Sequence, residues 1–142
     1  MFEKEIFLME AKITCTTELV QGGCNACPVV PSTSYAICFD QTAIPLGGLE
    51  VESLIMAVAL KKGFRQDLVM DFDEDYTVFK KENQQITLKD FYGSLTYENA
   101  SQKMTLKNTY DSTEELFTQV NRVLNELFQI EPVVFKIEEV EA

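Results

Sequence analysis

From Asp67 to Tyr110 the sequence pattern takes a period of two, broken by short polar stretches, and no other feature constrains the fold as strongly. Side chains of a strand alternate between two faces, so this pattern does not suit a helix with one apolar stripe. Leu68, Met70 and Phe72 alternate with Val69 and Asp71. Tyr76, Val78 and Lys80 alternate with Thr77 and Phe79, and Met104 and Leu106 with Lys103, Thr105 and Lys107. Polar residues near Asp73–Asp75, Glu82–Gln84 and Asn99–Ser101 divide the run into an antiparallel meander. Ile86 and Leu88 share one face, whereas Phe91, Gly93, Leu95 and Tyr97 continue in the opposite phase. That slip at Asp90 reads as a bulge or a break.

Helical patterns flank the run. Residues 49–62 have Glu50 and Glu52 in the first turn, Lys61 and Lys62 in the last, and Gly63 just beyond. Each placement suits the helix dipole or a left-handed cap. The middle, LIMAVAL, is apolar nearly all round, which predicts a central helix. A second helix is expected over residues 113–129. Ser112-Thr-Glu-Glu115 is a capping box ahead of a stripe of Leu116, Val120, Val123, Leu124 and Leu127, and Glu131-Pro132 stops it.

The remaining segments read as strands and one loop. Residues 4–15 alternate through Phe7, Met9, Ala11 and Ile13, which favours a strand, while Phe2, Ile6 and Met9 sit at helical spacing and offer a short opening helix as the alternative; Ser34 to Asp40 is an aromatic and apolar strand, and Val133, Phe135 and Ile137 form a closing strand. Residues 21–34 are a loop rich in Cys, Gly and Pro. The expected architecture is one α+β domain over residues 1–142, with a mostly antiparallel sheet of about five to seven strands and two main helices. The length, 142 residues, suits a single domain with its own core.

All four cysteines fall early: Cys15, Cys24, Cys27 and Cys38. Cys24-Asn-Ala-Cys27 is a CxxC knuckle, whose sulfurs can both reach one tetrahedral ion at about 2.3 Å. If the strands carrying Cys15 and Cys38 pair, four thiolates converge on one zinc ion or an iron–sulfur cluster. The competing readings are structural thiols, which behave as small hydrophobes, and a thiol-dependent enzyme using Cys24 or Cys27.

A second cluster is acidic. Counted from Asp71, carboxylates at Asp71, Asp73, Asp75 and Glu82 occupy positions one, three, five and twelve of a calcium-hand pattern. Position six is Tyr76 where the sharp turn needs glycine, and the flanks alternate like strands. A solvated hairpin turn is the competing reading.

Charge narrows the function. Twelve basic residues face 23 acidic ones, giving a net charge of −11, and there is no histidine. Triads and metal sites built on an imidazole are therefore excluded within the chain. The acidic balance opposes direct nucleic-acid binding and docking on anionic membrane. Without a signal-like or membrane-spanning run, a cytoplasmic location is expected. These features together predict a small acidic binding protein acting by protein–protein contact on a partner with a basic surface. An inhibitor, an immunity-type protein, a chaperone-like protein or a charge mimic fits that description. The alternatives are the cysteine metal module and the thiol-dependent enzyme. Open sheet edges would also permit a homodimer.

Overall fold

In chain order the elements are β1 (Glu10–Gln21), β2 (Val29–Cys38), β3 (Ala43–Leu46), α1 (Val51–Lys61), β4 (Arg65–Met70), β5 (Asp75–Lys81), β6 (Gln84–Phe91), β7 (Ser94–Glu98), β8 (Lys103–Lys107), α2 (Thr113–Glu126) and β9 (Val134–Glu141). They come from a computed structural model, which describes residues 8–21, 23, 26, 28–72 and 74–141. The class is α+β, with two helices and mostly antiparallel pairing. The strands form two sheets rather than the single sheet expected: four in the order β3-β2-β1-β9 and five in the order β4-β5-β6-β7-β8. Two units result, one made of residues 1–48 and 133–142, the other of residues 49–132.

In the first unit β1 and β2 form a long antiparallel hairpin, and β9 adds to β1 in parallel. Parallel partners need a long crossover, and here the connection contains the whole second unit. Ala11 and Ile13 of β1 and Ile37 of β2 are fully buried on one face. On the other face Lys12 and Lys136 stand directly opposite each other. Like charges so placed repel, and each finds a carboxylate one step along the diagonal: Lys12 pairs with Glu138, and Lys136 with Glu10 at 2.5 Å. The expected loop over 21–34 is shorter than its composition suggests, because β2 begins at Val29. Val29, Val30 and Thr33 favour a pleated backbone. Pro31 is tolerated because β3 covers only Tyr35–Cys38, leaving this stretch at the edge.

The second unit is the meander with both helices. Lys81 and Gln84 pair around a two-residue turn whose first residue, Glu82, has φ 53°. Phe91 and Ser94 pair around Tyr92 and Gly93, at φ 51° and 84°. The phase slip at Asp90 is therefore a hairpin turn, not a bulge. Two left-handed central residues match the right-handed twist of the flanking strands.

Helix α1 buries Val51, Leu54, Ile55, Ala57, Val58 and Ala59, as its all-round apolarity predicts. It ends where Gly63 turns left-handed at φ 94° and the Lys81 ammonium donates to the Lys62 carbonyl at 2.6 Å. Helix α2 buries Leu116, Val120, Val123 and Leu124, and Leu127 beyond it is buried too. Ser112 makes its half of the capping box, accepting from the Glu115 N–H at 3.0 Å, while the Glu115 carboxylate accepts from Gln119 instead. The helix stops before the Glu131-Pro132 signal: Gln129 turns left-handed and the Ile130 N–H reaches back to the Leu124 carbonyl at 2.9 Å. Phe128, just past the helix, is the hub of the core, meeting Phe64 at 5.2 Å, Phe79 at 5.4 Å and Tyr97 at 6.3 Å between centroids. These edge-to-face contacts add to the apolar area that drives packing.

Candidate protein-binding surface

Among the described residues, the cysteines and carboxylates singled out in the sequence are not brought together. Cys15 lies opposite Tyr35, while Cys38 lies opposite Lys12. Cys15 shares the face of Ile13, and Cys38, next to buried Ile37, points to the other face. Their sulfurs cannot converge on one ion while these strands pair. The Cys38 thiol instead donates to the Asp40 carbonyl at 3.2 Å. Cys24 and Cys27 lie outside the described residues. The calcium pattern is broken by the strands: Asp71 sits in the β4–β5 turn, Asp75 begins β5 and Glu82 lies past its far end, about 23 Å away at 3.3 Å per residue. Asp73 lies outside the described residues. Among the described residues no group of three or more Cys, Asp or Glu side chains is placed to hold a metal ion.

What the meander does assemble is an acidic, aromatic end. The turns β4–β5 and β6–β7 lie at the same end of the sheet, since Thr77 is level with Leu88, β5 begins two residues before that pair and β6 ends three residues after it. Lys89 on β6 joins them, pairing with Glu74 at 2.7 Å and lying over the Tyr76 ring at 5.9 Å. In the first turn the Asp71 N–H donates to the Glu74 carbonyl at 3.2 Å, and the Phe72 N–H donates to the Asp71 carboxylate at 2.7 Å. Phe72 is fully exposed, at 106% of its reference area. In the second turn Phe91 and Tyr92 pack edge to face at 4.8 Å, and Tyr92 is 95% exposed. Gly93 donates its N–H to the Asp90 carboxylate at 3.0 Å.

The start of α1 belongs to this end. Asn108 follows β8 and donates its backbone N–H to the Gly93 carbonyl at 3.1 Å. Its own carbonyl accepts from Val51 N–H at 2.9 Å, and its side-chain oxygen accepts from Glu52 N–H at 2.9 Å. Its amide donates to Glu50 at 2.5 Å. Glu50 offers no side-chain cap of its own, so a residue far along the chain caps the helix. Glu52 is half-buried. Burial first, then Asp90 and Glu50, push its carboxyl above the ordinary range. Just inside, Tyr97 is fully buried and its hydroxyl has no hydrogen-bond partner among the described residues. Burial, followed by the field of Glu52 and Asp90, holds that phenol well above its ordinary titration range.

Carboxylates Glu50, Glu52, Asp71, Glu74, Asp75 and Asp90 cluster here with the exposed rings of Phe72, Phe91 and Tyr92. Opposite-charge focusing raises encounter rates, and exposed aromatics supply the contact area of interface hot spots. Two grooves of the second unit lie at the other end: one, about 470 Å³, is lined by Arg65, Lys80, Lys81 and Glu82, and another, about 530 Å³, by Asn83, Gln85, Asn99 and Gln129. A further groove, about 340 Å³, is lined by Lys107, Thr109, Tyr110 and Asp111, on the side of the β6–β7 turn. Sequence analysis identified the acidic turn but not the aromatic pair, whose only signal is a bulky residue ahead of Gly93.

Residues 8–137 match the family described as Domain of unknown function (DUF4809). The chain belongs to this family. The family match runs through both units, taking in the long hairpin and the meander. No curated protein and no solved structure gives a significant match. Among the described residues no helix is long and apolar enough to cross a membrane.

Proposed function

We propose that this chain is a binding protein that docks the acidic, aromatic end of its five-stranded sheet on a basic, partly apolar patch of another protein. The observation that carries this reading is Tyr92. A bulky aromatic side chain stands nearly fully exposed on a left-handed residue of a tight turn, where asparagine or glycine would be the relaxed choice. Local strain of this kind collects where a surface is used. Exposed Phe72 and Phe91 accompany it at the same end, and the surrounding carboxylates select a cationic partner. An inhibitor, an immunity-type protein, a chaperone or a charge mimic would each work through such a surface.

A paired capture experiment tests it. Tagged wild type and a Phe72→Ser/Tyr92→Asn variant are exposed to lysate of the native host, and bound proteins are compared across a salt step. The reading expects a basic protein that the wild type retains at low salt, high salt releases, and the variant fails to hold. Equal retention by both proteins would refute it.

A further inference from the structure

We propose that the groove at the β5–β6 end of the five-stranded sheet is a binding site for a small phosphate-bearing molecule. Arg65 of β4 and Lys80 of β5 stand directly opposite each other, and Gln85 of β6 lies opposite Lys80 on its other side, so the three residues share one face. Like charges so placed, about 5 Å apart between Cβ atoms, repel and weaken the pairing. The first unit has the same clash between Lys12 and Lys136, and there each lysine finds a carboxylate. Arg65 and Lys80 have neither an ion pair nor a side-chain hydrogen bond among the described residues. Asp67 stands one step along the diagonal from Lys80 on the same face, yet makes no ion pair with it. In a chain of 23 acidic and twelve basic residues, two cations set against each other without a carboxylate break a local rule. Breaks of that kind collect at functional sites.

The wall of the groove selects the ligand. Arginine presents a planar fork of donors and lysine a point charge. A phosphate has oxygens enough to meet both at once, whereas a carboxylate fills a single fork. Lys81, whose ammonium donates to the Lys62 carbonyl at 2.6 Å, adds a third positive charge to the wall, and Asn83 and Gln85 add neutral amides. The volume, about 470 Å³, falls within the range of about 300–1,000 Å³ usual for small-molecule sites. Size matters because the chain carries a net charge of −11. A long polyanion meets that charge beyond the groove, while a small anion stays within the screening length of about 8 Å of the local cations. The groove lies at the opposite end of the sheet from the acidic turns, so a phosphate site here stands or falls separately from that binding surface.

Amide NMR of the full chain, titrated with inorganic phosphate at constant ionic strength, tests the proposal. Saturable shifts concentrated at residues 63–66 and 80–85 are expected, with a Kd of about 1 mM or below. Arg65→Gln/Lys80→Gln should raise that Kd at least about tenfold, because both charge-assisted contacts are lost. Without phosphate the same variant should melt no lower than wild type, since the repulsion between the two strands is gone. Glu82→Gln removes the one carboxylate of the lining and should lower the Kd. Acetate should bind at least about tenfold more weakly than phosphate, and a single-stranded oligothymidylate no more tightly. Four results overturn the proposal: shifts that do not saturate by about 10 mM phosphate, a Kd unchanged in the double variant, a double variant that melts below wild type, or acetate or the oligonucleotide exceeding these limits.

Discussion

Replacing Tyr92 by asparagine should stabilise the protein while removing a binding anchor. Tyr92 has φ 51° and precedes Gly93 at φ 84°, with Phe91 and Ser94 paired on either side. A left-handed conformation raises the energy of an L-residue with a Cβ by about 1–2 kcal/mol. Asparagine tolerates it better, and Asn-Gly is the preferred pair for this turn. The expected relief is therefore about 1 kcal/mol. Against it stands the edge-to-face contact with Phe91 at 4.8 Å, worth about 0.5 kcal/mol at so exposed a site. The net gain is about 0.5 kcal/mol, a rise of about 2 °C in Tm. Urea unfolding followed by circular dichroism reads it as a higher midpoint with an unchanged slope. A loss of more than about 0.5 kcal/mol would show that packing holds Tyr92 in place, and would remove the argument that the residue is kept for contact.

Other consequences follow from the same end of the sheet. Asn108→Ala removes the acceptor for Glu52 N–H and the donor to Glu50, and should lower stability by about 2 kcal/mol in the same urea assay. Glu52 titrates above its ordinary range in the folded chain, so its stabilising contribution is complete below about pH 4.5 and is lost as pH rises through the raised folded value. Wild type should thus lose more stability than Glu52→Gln between about pH 5 and pH 7, and parallel profiles would contradict the burial of that carboxyl. Tyr97→Phe removes a buried hydroxyl that has no partner among the described residues and should be neutral or stabilising by up to about 1 kcal/mol. The phenol's raised folded pKa also means that wild type loses stability above about pH 10, where the unfolded chain ionises first, and the Phe variant should lose less in alkaline melts.

Legibility in the sequence followed the range of the interaction. The capping serine at Ser112, the glycine after α1 and the period-two run are local signals, and the structure has the corresponding elements. The cap of α1 comes from Asn108, and β1 pairs with β9 across the intervening second unit, so neither contact leaves a local pattern. The division of the strands into two sheets rests on such contacts and leaves no local pattern. Strand β3 was missed because four residues containing Pro45 resemble a turn more than an edge strand. The slip at Asp90 was visible, but Tyr92 hid the turn because tyrosine rarely takes the left-handed position. The spacing of Asp71, Asp75 and Glu82 does not bring these carboxylates together because the seven-residue strand β5 separates Asp75 from Glu82 where a calcium loop would fold them together. The aromatic end became visible only when register brought Phe72, Phe91 and Tyr92 to the same edge.

The central claim, that this end is a protein-binding surface, is tested most directly by residue-resolved NMR. A basic amphipathic peptide of lysine and leucine is titrated into isotope-labelled protein at low and high salt. The account predicts salt-sensitive shifts concentrated at residues 50–52, 70–76 and 89–94. No shifts, or shifts concentrated at the opposite end around residues 82–85 and 99–102, would contradict it.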